Sequence, residues 1–105
     1  MIQADFVKTA GAFTSFSISG HAGYGDYGED IVCASVTSAV QLTANAATEV
    51  FKAPAKVTAL ENTIQLALPG KPQKEASLLL EALHLHLTVL AETYPGTIKV
   101  KVSEV

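Results

Sequence analysis

The chain has 105 residues, 49% of them hydrophobic and 16% charged, with seven lysines, no arginine and a net charge of -3. That length supports one core, so residues 1-105 read as a single domain, and an acidic chain without arginine lacks the basic face of a nucleic-acid binder. No apolar run reaches the roughly 18 residues of a membrane span, the start MIQADFVK carries no signal-peptide pattern, and a lone cysteine builds no internal disulfide framework, which together predict a cytoplasmic protein with no membrane partner.

Ile2, Ala4 and Phe6 alternate with Gln3 and Asp5; after a turn at Gly11, Phe16 and Ile18 alternate with Ser15, Ser17 and Ser19. These runs read as an antiparallel hairpin. Beyond a glycine-rich stretch, residues 31-51 have helical periodicity, with Val32, Val36, Ala39, Val40, Ala47 and Val50 on one stripe and Pro54 closing the helix. Val57 and Ala59 lead through a turn at Glu61-Asn62 to Ile64, Leu66 and Leu68, a second hairpin ended by Pro69-Gly70. Pro72 opens a long helix that Pro95-Gly96 stops, and Ile98, Val100 and Val102 form a last strand. The order ββαββαβ predicts an α+β domain, a mostly antiparallel five-stranded sheet with two helices packed on one face.

The second helix is apolar over more than one stripe. Ala76, Leu79, Leu80, Leu83, Leu87, Leu90 and Ala91 share one face; Leu78, Ala82, Leu85 and Val89 lie beside it. Lys74, Ser77, Glu81, His84, Thr88 and Glu92 form the narrow polar remainder. A surface helix needs an apolar arc of about 100°, and this one is about twice as wide. Either the first helix covers the excess or a second copy of the chain does.

Candidate chemistry concentrates in Gly20 to Val36, GHAGYGDYGEDIVCASV, which holds the only cysteine and four of the seven glycines. Eleven residues separate His21, at the end of a strand, from Cys33, at the start of a helix. With Asp30 as N-cap and the helix starting at Ile31, Cys33 falls in the first turn, where free amides and the helix dipole favour a thiolate. The amides of Cys33 and Ala34 would then be donors for an oxyanion. His21 is placed to take the thiol proton and pass it to a leaving amine. A half-buried packing cysteine beside a loop histidine is the plainer reading of the same residues.

The segment closely resembles the signature of the bacterial ribosomal-processing cysteine proteases (Prp), in which Gly-His-Ala, a glycine-containing loop and Asp-Ile-Val-Cys-Ala recur in this order and spacing. The order of elements over the whole chain is similar too. The resemblance implies a catalytic pair at His21 and Cys33 and a small cytoplasmic homodimer without cofactor. It also implies a peptide substrate, the precursor of large-subunit ribosomal protein twenty-seven, cut after an aromatic pair and before an alanine. Ser35 and Thr37 depart from the commoner Ala and Ser, beyond the reacting atoms.

Other readings of these residues are weaker. Gly23, Gly25 and Gly28 spell the dinucleotide fingerprint, yet Asp26, Glu29 and Asp30 would crowd a pyrophosphate and the neighbouring strands form hairpins. A zinc site from Cys33, His21, His84 and His86 fails because helical residues two apart point roughly 200° apart, so no metal is expected. His84 is expected on the solvated face and His86 in the apolar arc. Asp26, Glu29 and Asp30 suit a lysine-rich peptide, and Tyr24 and Tyr27 could cover it; Gly20, Gly23, Tyr24, Gly25, Asp26, Tyr27, Gly28 and Glu29 thus read as the substrate loop, whose stretch from Gly23 to Gly28 is expected to be mobile when empty and ordered around substrate. A non-enzymatic dimeric module of ribosome assembly is the alternative from another class.

Overall fold

The computed structural model describes residues 1-20 and 27-105, the side chains of residues 27-30 excepted. The alternating runs at the start form β1 (Ile2–Thr9) and β2 (Ala12–Ser19), joined by a turn in which Ala10 and Gly11 both have positive φ. The first helix, α1, spans Tyr27–Asn45 and continues as one π-helical turn, Ala46–Val50. Next come β3 (Lys56–Leu60), β4 (Thr63–Ala67), α2 (Lys74–Thr93) and β5 (Ile98–Glu104), giving ββαββαβ.

The sheet order is β3-β4-β2-β1-β5. Three pairings are antiparallel and one, β1 with β5, is parallel, because α2 carries the chain back across the sheet before β5. Register follows the hydrophobic pattern. Phe6 lies opposite Phe16, Phe16 opposite Leu66, and Ile2 opposite Ile98, so one face gathers the large apolar side chains. Gln3, Asp5, Gln65, Lys99 and Lys101 alternate onto the other.

Both helices cover the apolar face. Phe6, Leu66, Leu80, Leu87 and Val32 are the largest fully buried side chains, drawn from sheet and helices alike, and each such burial contributes about 1.5–3 kcal/mol before entropy is counted. By length and composition Ile31–Val50 could cross a membrane; here Val32, Val36, Val40, Ala44 and Ala47 are buried in the core. The π turn has a local cause. Thr43 and Thr48 donate side-chain hydrogen bonds back to the carbonyls of Ala39 and Ala44 at 2.8 and 2.9 Å, which loosens the ladder. It ends with Phe51 bonded to Ala46, five residues back, at 2.9 Å, and leaves Val50, expected on the core stripe, 70% exposed.

Several expectations on α2 are corrected. Ser77, placed on the polar face by the sequence, is buried and donates to the Phe13 carbonyl at 2.8 Å. His84 is half-buried rather than fully solvated: its ring packs 5.2 Å from Phe6 and 5.3 Å from Phe13. His86, expected in the apolar arc, is exposed. The helix is rotated so that its Leu80–Leu83–Leu87 ridge faces the sheet, which carries His84 inward beside it and turns His86 out. Most of the second stripe stays open: Leu78, Leu85 and Val89 are 50%, 63% and 48% exposed.

Candidate active site

β2 brings the chain to the site and a tight corner ends it. Gly20 has φ +87, and a Cβ built there would lie 2.7 Å from the Met1 carbonyl oxygen, so no other residue fits without moving backbone. The Gly20 amide donates to the Asn62 carbonyl at 3.0 Å, and the Ile2 amide donates to Thr97 at 2.9 Å, which pins the first residues beside this corner. His21, Ala22, Gly23, Tyr24, Gly25 and Asp26 lie outside the described residues, and with them the expected base and most of the expected substrate loop.

The helix that carries the thiol begins earlier than its capping pattern suggests. α1 starts at Tyr27, so Tyr27, Gly28 and Glu29, expected in the loop, form its first turn together with Asp30. Asp30 is therefore not the N-cap before Ile31. Glu29 and Asp30 belong to the first turn of the helix, a position that suits acidic residues as well as a cap does. Cys33 is the helix's seventh residue and Ala34 its eighth. Their amides belong to the helical ladder and are not free donors for an oxyanion.

Cys33 itself sits where a nucleophile can work. Val32 beside it and Val36 one turn on are buried, which fixes the helix against the sheet, while Cys33 is half-buried and packs at the core's margin. It lines a cleft of about 410 Å³. From α1 come Cys33, Val36, Thr37, Val40 and Gln41; from the strand ends come Ile2, Ile18, Ser19 and Gly20. The opposite wall is the β3–β4 hairpin, with Ala59, Leu60, Asn62, Thr63 and Ile64. Among the described residues, no charged side chain lines this cleft. A half-buried thiol at a groove whose described lining is mostly apolar can meet a peptide carbonyl in surroundings poorer in water than the surface.

The profile of the family described as cysteine protease Prp matches residues 1–99. The chain belongs to that family. It is a cysteine protease, and the Prp fold appears in the solved structures as well. SMU.848 from Streptococcus mutans is 28% identical, with a TM-score of 0.88 over 100% of this chain and 99% of that one. The essential ribosomal processing protease Prp from S. aureus, solved with a covalently linked product peptide and with a substrate peptide, is 24% identical. It also gives a TM-score of 0.88, covering 98% of this chain and 100% of that one. No curated protein matches the chain.

Sequence reasoning singled out Cys33, which lines the cleft, and missed most of the cleft's other residues. Val36, Thr37, Val40 and Gln41 stand three, four, seven and eight residues after Cys33, a helical spacing that would have revealed them. The β3–β4 wall depends on the pairing of Ile18 with Ile64, a contact between residues far apart in the chain that no local pattern specifies.

Proposed function

We propose that this Prp-family protease trims the N-terminal extension from the precursor of large-subunit ribosomal protein twenty-seven, with Cys33 as nucleophile and His21 as general base. The observation that carries the reading is that the chain's one cysteine lines the cleft beside the β2 corner from which the chain continues to His21. The S. aureus relative, described as a ribosomal processing protease, holds a covalently linked product peptide, which fits a covalent route. In that route the Cys33 sulfur attacks the scissile carbonyl carbon, and His21 takes the thiol proton. The tetrahedral adduct collapses as the C–N bond breaks, and His21 returns the proton to the departing amine. Water, activated by His21, then hydrolyses the thioester and restores the thiol.

Asp26, Glu29 and Asp30 supply negative charge near this cleft in sequence, suited to the lysine-rich parts of a ribosomal protein. The protein acts as a cytoplasmic homodimer, and the open Leu78, Ala82, Leu85 and Val89 stripe of α2 supports that assembly. Incubating a full-length precursor with the protein and weighing the products tests the reading: one cut after the aromatic pair and before alanine is expected, and an untouched precursor would refute it. The alternative of a non-enzymatic assembly module loses its footing with membership of a protease family.

A further inference from the structure

His21 follows Gly20 directly in the chain, so whatever holds Gly20 sets the point from which the base's backbone starts. Gly20 is held by the 3.0 Å hydrogen bond from its amide to the Asn62 carbonyl, and on its other side a Cβ would lie 2.7 Å from the Met1 carbonyl oxygen, so the corner is bonded on one side and closely packed on the other. That bond lies one step beyond the last β2–β4 pair, Ser19 with Thr63, and so extends the ladder to the rim of the Cys33 cleft, which Gly20 and Asn62 both line. Asn62 is exposed, yet its backbone is left-handed, with φ 62. Apart from glycine, asparagine is among the few residues that adopt this conformation readily, and a β-branched residue resists it. The identity of residue 62 therefore decides whether its carbonyl keeps facing the corner.

We propose that Asn62 is a positioning residue of the protease: its left-handed backbone aims the carbonyl that fixes the Gly20 corner, and through it the start of His21. The inference rests on the protease reading of Cys33 and His21 given above. It acts through the base, so it bears on turnover and on proton transfer more than on substrate affinity.

The test compares the parent, Asn62→Val and Asn62→Gly on an extended precursor peptide, with Cys33→Ala as the blank and thermal unfolding of each variant measured alongside. Misplacement of a catalytic group by about an ångström costs on the order of a hundredfold. Asn62→Val, folded at the assay temperature, is expected to lose about tenfold or more in kcat with KM within about twofold of the parent, and to change the pH profile of kcat/KM. Asn62→Gly, free to take the left-handed conformation, should recover kcat to within about threefold. If the valine variant does not fold, Asn62→Ala takes its place with the same expectation in weaker form. Parent-like kcat and pH profile in the valine or alanine variant would overturn the proposal alone, provided the parent is active and Cys33-dependent. Equal losses in the glycine and valine variants would overturn it too, since they would assign the effect to the asparagine side chain. A parent that does not cleave, or a blank that does, overturns the protease reading and the positioning role with it.

Discussion

Cys33 combines two demands that usually conflict, firm placement and access. Its neighbour Val32 is fully buried and anchors the helix, while the thiol stays half-buried at the cleft. Replacing the sulfur by hydrogen should therefore abolish cleavage at a stability cost of about 1 kcal/mol or less. Denaturant unfolding of Cys33→Ala beside an activity assay checks both halves, and full activity in the variant would contradict the role. Gly20 is the opposite case, a residue chosen for what it lacks. Gly20→Ala meets the Met1 carbonyl oxygen at 2.7 Å and keeps an unfavourable φ, and is expected to destabilise the fold by about 1–3 kcal/mol. A midpoint unchanged within error would show that the corner yields easily.

At the scale of elements, α2 carries a pH-dependent contact. His84 lies against Phe6 and Phe13, and burial, with Lys8 nearby, holds its pKa below the ordinary 6.5, only partly offset by Glu81. The neutral ring is the one that packs. Above pH 6.5 both folded and unfolded chains leave it neutral, so its contribution is fully present. As pH falls below 6.5 toward the lower folded value, the unfolded chain takes up the proton first and stability is lost. Denaturation midpoints between pH 7.5 and 5.5 should fall more for the parent than for His84→Gln; parallel declines would remove His84 as the cause.

The same helix shows what the sequence could and could not disclose. Its limits and its Leu80, Leu83 and Leu87 ridge follow from spacing and from the prolines around it. Its rotation does not, because an arc apolar on two sides leaves several orientations of similar hydrophobic gain. Spacing alone therefore misplaces His84, His86 and Ser77. The start of α1 was obscured in a similar way, since Asp30 suits both a cap and a first turn. Strand positions and faces were plain from alternation, whereas the parallel β1–β5 pairing and the hairpin wall of the cleft depend on long-range register.

For the whole molecule, the open stripe on α2 is the feature that a monomer does not explain. Leu78, Leu85 and Val89 stand exposed in a row, with Leu42 of α1 71% exposed as well. Apolar surface grouped in this way commonly marks an interface. Sedimentation at micromolar concentration should show a homodimer, and Leu85→Glu should shift it to monomer without unfolding it, because Leu85 is already 63% exposed within one chain. A parent sedimenting as monomer would leave the stripe without that partner. Cleavage of a ribosomal precursor at the cleft beside Cys33 can be followed by intact-mass spectrometry of the extended precursor after incubation with parent and Cys33→Ala protein. Loss of one N-terminal peptide, ending in the aromatic pair, is expected with the parent and no change with the variant. An uncut precursor with the parent, or equal cutting with both, would contradict it.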